Sequence, residues 1–334
     1  MKAILSALLL FQSLPADTLL FTAKVEGVTN IYELAAGKLP PEQITKNGQQ
    51  DAIGRCPISS PDGSKIAYSA PDGEIISIFI LDTTTGVTRK LRVGPGTCSV
   101  GGWSPDGRSI VYTRIPSGTK KSFDPSDADI FVYDLQSDTE TLLVGTPFQE
   151  CGPRFSPDGK YISFSRKFNQ RRWIADSHKS RPPNSDFEIY LLDLESRTEK
   201  RITDDAYNNW PPVWMPDSGS LIFASDRVSE ISYGQLFLLN LDNNSVSQLT
   251  DVDGSATSPS ISADGKFVAY DYFRRSEDPD NPYKFTRRVH ILDLSNNTNV
   301  SEIDFGDHCS FPNFRKSEFQ PAGAINSEAD ASPR

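Results

Sequence analysis

The sequence predicts an all-β fold, a six-bladed β-propeller of four-stranded antiparallel blades, and three observations carry that expectation. A phrase recurs: SPDGSKIAYSA at residues 60–70 returns as SPDGRSIVYTR, SPDGKYISFSR, MPDSGSLIFASDR and SADGKFVAYDYF. The marker aspartates Asp62, Asp106, Asp158, Asp217 and Asp264 lie 44, 52, 59 and 47 residues apart, a period of propeller or solenoid size with variable insertions. After the turn in each copy, residues alternate with period two, as Ile66, Tyr68 and Ala70 do against Ala67 and Ser69, which is the signature of strands and not of helices. The two chain ends are complementary halves of one further unit.

Each element of a unit has its own warrant. Pro-Asp-Gly supplies a preset φ, an aspartate that accepts from nearby backbone N–H groups, and a glycine free to take positive φ, so it predicts a hairpin turn. The strand before the turn is the inner one, visible as VGGWS, GPRFS, PPVWM and SPSIS. The third strand ends in Asp-Leu or a close variant, as in ISIFILDTTTG, DIFVYDLQSDT, EIYLLDLESRT, QLFLLNLDNNS and RVHILDLSNNT. A short outer strand follows, such as TLLVG, KRITD or SQLTD. Four strands joined by turns make a blade, and a blade buries its faces only by stacking on its neighbours. Residues 18–46 hold a second, third and fourth strand without an inner one, whereas CSFPNFRKSEF near the other end holds only an inner strand. Their pairing makes the shared blade, here blade one, and closes the ring without exposed edges.

The expected organisation is a secretory signal peptide over residues 1–16, a propeller over 17–315 and a disordered polar tail over 316–334. The first segment has one lysine, an apolar run and then Pro15-Ala16, the pattern of a leader, so a periplasmic or secreted location is expected. With Lys+Arg 34 against Asp+Glu 44, the net charge of −10 disfavours a nucleic-acid partner, because polyanions are held by clustered cations. No later apolar run reaches the length of a membrane span, and a monomer is expected.

The repeat resembles the TolB-type β-propeller, a WD-repeat-like family, most visibly in PVWMPDSGSLIFASDR and QLFLLNLDNNSVSQLTD of blade five. The resemblance runs from Thr18 to Phe314 and implies the propeller fold. It says less of function, since such repeats serve in periplasmic TolB, beside peptidase domains and in secreted proteins of other kinds. Two departures stand out. TolB carries an additional α/β domain before its propeller, and no Gly-x-Ser-x-Gly elbow of the peptidase relatives is present in this sequence.

Cys56, Cys98, Cys151 and Cys309 each precede an inner strand, in blades two, three, four and one. Four cysteines allow three disulfide connectivities, of which only Cys56–Cys309 with Cys98–Cys151 joins neighbouring blades throughout. Free buried thiols and a thiolate metal site with His308 are the alternatives, although no C-x-x-C ligand pair exists. No cofactor and no metal are expected.

The candidate binding residues gather in the links between second and third strands, since long insertions on a rigid scaffold are where binding residues collect. Blade four carries Arg166, Arg171, Arg172, Trp173, His178 and Arg181 there, and blade six carries Arg274, Arg275, Tyr283 and Arg287. Trp210 and Tyr233 of blade five join them on the same predicted rim. A basic, aromatic rim of blades three to six on an acidic protein points to an envelope or extracellular protein as partner, since arginine and aromatics dominate binding hot spots. The competing expectation is a carbohydrate-binding or carbohydrate-active propeller, its aromatics stacking on a glycan and carboxylates such as Glu150 or Asp226 acting as acid and base. Catalytic residues are not assignable from motifs: His290 reads as a strand residue, and the glycines sit in turns.

Overall fold

The computed structural model describes residues 18–35, 38–46, 49–50, 56–116, 128–167, 187–205, 207–228, 234–275, 285–306 and 308–316. Among these residues the strands form six antiparallel sheets and no helix. Blades two to six are four-stranded, and the blade-one sheet has five strands. The inner strand of blade one is His308–Arg315 from the far end of the sequence, and it pairs with Thr18–Val25. The ring is therefore closed by hydrogen bonds between the two halves of one blade. Arg315 adds to the closure by donating to Glu33 Oε1 at 2.6 Å and to the Gly63 carbonyl of blade two at 2.9 Å.

Six apolar clusters hold the ring, one in each seam between adjacent blades. They arise because a strand sends alternate side chains to its two faces, and both faces of a blade are covered. Within the blades an aromatic pair recurs between second and third strands: Phe21 opposes Tyr32, Tyr68 opposes Phe79, Tyr112 opposes Phe131, Phe164 opposes Tyr190 and Phe223 opposes Phe237. Their ring centroids lie 5.6–6.1 Å apart, and such pairs contribute roughly 0.5–1.5 kcal/mol beyond burial. His290 takes the aromatic's place opposite Tyr270 in blade six, so it is a strand residue. Trp103 and Trp214 link blades, their indole N–H groups donating to the Ile58 and Arg154 carbonyls at 3.0 and 3.3 Å.

The repeated turn is built alike in blades two, three, four and six. In blade two Ser60 Oγ donates to Asp62 at 2.6 Å, Ser64 N–H donates to the same carboxylate at 3.0 Å, and Gly63 takes φ 74°. Blade five has Met215 and Ser218 in place of the serine and glycine, which puts a non-glycine residue at φ 59°. A second device, absent from the expectations above, clips the outer strand: the threonine of QITK, RITD and SQLTD accepts from the third-strand amides of Ile31, Ile189 and Leu236 at 2.8–3.0 Å.

Candidate functional site

The inner strands enclose a central cavity of about 770 Å³. Each inner strand runs from the loop face to the turn face, because Gly96 at its start pairs with Pro116, Gln149 with Lys167 and Ser255 with Phe273 at the ends of the second strands. The links after those strands therefore open on the same face as the start of the inner strands.

The inner strands are not regular. Cys56, Gly152, Ser258 and Phe311 have φ of 29°, 57°, 51° and 54°, and each is followed by proline. Three of these steps coincide with breaks of register against the second strand, so they are bulges that turn the chain at the cavity wall. The left-handed conformation is unfavourable for a side chain by roughly 1–2 kcal/mol. Its recurrence around the ring shows that the neighbouring blades enforce it. At the bulge in blade four a Cβ on Gly152 would stand 2.2 Å from Pro211, so both the positive φ and the packing require glycine there.

A polar side chain of the second strand reaches the next blade at or beside this bend. Ser69 accepts from Val100 N–H at 2.8 Å, and Ser165 donates to the Asn209 carbonyl at 2.9 Å. In blade six the same position is Asp271, which accepts from Phe311 N–H at 2.6 Å. Burial pushes its carboxyl up to about 7, against the lowering effect of bonds from Phe311 and Ser258 and of Arg287. A carboxyl where the repeat has a hydroxyl is one departure from the blade pattern.

Arg154 is the other. Two residues after the bend, or at the equivalent position of blades three and five, the inner strands carry Ile58, Gly102, Arg154, Val213, Ser260 and Asn313, and all six line the cavity. Among the described residues Arg154 is the one charged side chain that lines the cavity. Its Cδ lies 3.3 Å from where a Cβ on Gly102 would stand, so the absence of a side chain in blade three makes room for its stem. Among the described residues its guanidinium donates only to the Pro153 carbonyl, at 3.2 Å. Burial lowers its pKa to about 10, with Cys56 acting in the opposite direction.

The four cysteines are free in the structure, which corrects the expected disulfides. Cys56 packs on the seam of blades two and three, where Cys98 is buried, whereas Cys309 is buried in the seam of blades six and one. Neither Cys56–Cys309 nor Cys98–Cys151 is formed, and Cys56 and Cys309 enter different seams. Cys309 Sγ instead donates to the Ile303 carbonyl at 3.0 Å. Burial pushes all four thiols up to about 12.

The predicted rim is only partly brought together. Trp210 lines the cavity, and Arg287 lies over the Phe273 ring at 5.7 Å, with Phe273 itself in the cavity wall. Arg275 is exposed, and Arg274 is partly buried and donates to Asp253 at 2.6 Å. Arg166 is not a surface residue. It is buried, donates through Nε to Glu150 Oε1 at 2.7 Å, lies 2.7 Å from Glu199 through Nη2, and covers the Tyr190 ring at 4.7 Å. Arg171, Arg172, Trp173, His178, Arg181, Tyr233 and Tyr283 lie outside the described residues. Glu150 is fully buried, and burial pushes its carboxyl up to about 7 against bonds from Thr146 and Arg166. Asp226 accepts from Asn208, through the backbone N–H at 3.0 Å and the side-chain amide at 2.8 Å. Among the described residues no group of three or more metal-ligating side chains is assembled, and no helix is long and apolar enough to cross a membrane.

Comparison with known proteins agrees with the ring. Residues 119–298 match the model of the TolB beta propeller domain. The chain belongs to this TolB propeller family. Among curated relatives, an uncharacterised protein of Agrobacterium fabrum is 29% identical over 63% of this chain and 67% of its own length. The Tol-Pal system protein TolB of Francisella tularensis subsp. mediasiatica is 26% identical over 64% of this chain, which spans 45% of that protein. Among solved structures, TolB from Acinetobacter baumannii superposes with a TM-score of 0.68 at 17% identity, over 90% of this chain and 66% of its own. Oligogalacturonate lyase in complex with manganese gives 0.55 at 17% identity, over 85% and 73%. At such identities the structural likenesses establish the propeller fold alone.

This TolB-type propeller yields two functional candidates that the sequence analysis overlooked, Arg154 and Asp271. Both were visible in principle, because aligning the repeats on the turn aspartate shows an arginine and an aspartate where the other blades carry uncharged residues.

Proposed function

We propose that the protein is a binding propeller of the cell envelope, periplasmic or secreted, which takes a protein partner on its loop face with the channel mouth at the centre of the contact. The observation that carries this reading is the make-up of the mouth: Trp210 and Phe273 in the wall and Arg287 over the Phe273 ring. Aromatic and arginine side chains around a concave centre are the residue types on which protein contacts concentrate their energy. Membership of the TolB family and the relative named as a Tol-Pal system protein support the same direction. The leader at residues 1–16, and Arg171, Arg172 and Trp173 in the blade-four link, belong to this proposal.

The test is in-cell crosslinking followed by mass spectrometry, comparing wild type with Arg275→Glu combined with Arg287→Glu. A protein recovered with wild type and lost with the variant, whose circular dichroism is unchanged, supports the reading. Equal recovery by both removes the mouth from the contact. Recovery of glycan without protein moves the assignment to the carbohydrate-binding class.

A further inference from the structure

We propose that the central cavity is a binding site for a small amphipathic carboxylate, a monoanionic head held by Arg154 and an apolar or planar body held by the cavity wall. The cation of this site, Arg154, is no part of the protein contact proposed above, although the two sites share Trp210 and Phe273 in the cavity wall.

The first argument is charge. Among the described residues Arg154 is the one charged residue lining a cavity of about 770 Å³, in a chain of net charge −10. Among the described residues its guanidinium has a single hydrogen bond, to the carbonyl of its own neighbour Pro153. A guanidinium presents five donors in a rigid fork that matches a carboxylate, so most of its donor capacity is unspent. A buried or half-buried cation without a counter-charge is unfavourable to the fold. The neighbouring Cys56 thiol does not neutralise it, because burial keeps it protonated.

The second argument is construction. Arg154 replaces the uncharged residues of the other five blades, and Gly102 of the adjacent blade leaves the space its Cδ fills. Its own backbone is pinned, since the Arg154 carbonyl accepts from the Trp214 indole at 3.3 Å. The cation thus projects from a fixed point of the ring.

The third argument is the wall. Trp103, Phe155, Trp210, Phe273 and Phe311 line the same cavity, with hydroxyls of Ser99, Thr257 and Ser258 between them. Apolar pockets of this size with a few placed polar groups are the usual form of small-molecule sites. One cation matches one negative charge, which favours a carboxylate over a dianionic phosphate.

Calorimetric titration of the full chain tests this with three probes: 2-naphthoate, its neutral isostere 2-naphthamide, and inorganic phosphate. Wild type is expected to bind naphthoate at least about tenfold more tightly than the amide, the order of effect of a charge-assisted bidentate pair. Arg154→Gln should bring naphthoate down to the affinity of the amide and leave the amide unchanged, while Arg154→Lys should keep part of the preference. Gly102→Ala, which retains the charge but crowds the arginine stem, should weaken naphthoate selectively and serves as the second variant if Arg154→Gln fails to fold. Equal binding of naphthoate and amide by wild type, no binding of naphthoate, a preference that survives Arg154→Gln, or phosphate binding as tightly as naphthoate would each overturn the proposal.

Discussion

The two faces of the propeller are built by different rules. On the turn face the same aspartate recurs, and hydrogen bonds from local residues hold the Asp62 carboxyl down at about 2 although burial acts in the opposite direction. Around the channel and on the loop face, the acids Asp271 and Glu150 are pushed up to about 7 by burial. The turn acids are stabilised by neighbours two or three residues away in sequence, whereas the channel and loop-side groups meet partners from other strands and blades. Repetition can write the first kind of environment many times; the second is made once, by the closed ring.

The comparison is broken most severely at Arg166. Arg166→Ala leaves Glu150 buried and without its cation, a change expected to cost about 3 kcal/mol, read as a drop in the urea midpoint. A loss no larger than that of a surface substitution would mean that the loop side is as forgiving as the turns. Asp62→Ala, which removes bonds to Ser60 and to Ser64 N–H and Oγ, is expected to cost about 1 kcal/mol because the turn is partly exposed. Asp217→Ala in the variant turn of blade five, where the carboxylate accepts from Gly219 N–H, should cost less. Equal losses would show that the serine adds nothing to the turn.

Titration separates the faces by sign. Asp62, with a folded value of about 2 against an ordinary 3.8, contributes stability that is present above the unfolded value and lost as pH falls through the folded one. Asp271, raised from 3.8 to about 7, holds its proton in the folded state after the unfolded chain has released it. Its contribution is therefore fully present below about pH 4 and declines as pH rises toward 7. Denaturation measured from pH 4 to 8 should show that Asp271→Asn removes part of this decline, and an unchanged profile would refute the assignment. The smallest effect is expected at the exposed mouth, where Arg287→Ala should move the thermal midpoint by no more than about 2 °C.

Much of the ring was legible beforehand. The turn triplets, the alternating strands and the halved blade at the two ends each follow from short-range chemistry or from edge pairing, and the structure places the strands accordingly. The threonine clip and the X-Pro bulge also have sequence signals, QITK, RITD and SQLTD for one and, for the other, CP, GP and SP six residues before the turn aspartate, with FP in the blade-one inner strand. Their meaning emerges only when the bonds and register breaks are seen. Arg166 shows the opposite case, since a basic residue at the edge of a long insertion reads as surface but is buried by Glu150, Glu199 and two aromatic rings.

By itself the sequence determined the blade, its turns and the means of ring closure, because these depend on backbone geometry within a few residues and on a period-two pattern. Tertiary structure decided which cysteine enters which seam, which arginine is buried and which arginine lines the channel. Those outcomes depend on where side chains from different blades meet, and a linear order of residues does not contain that distance.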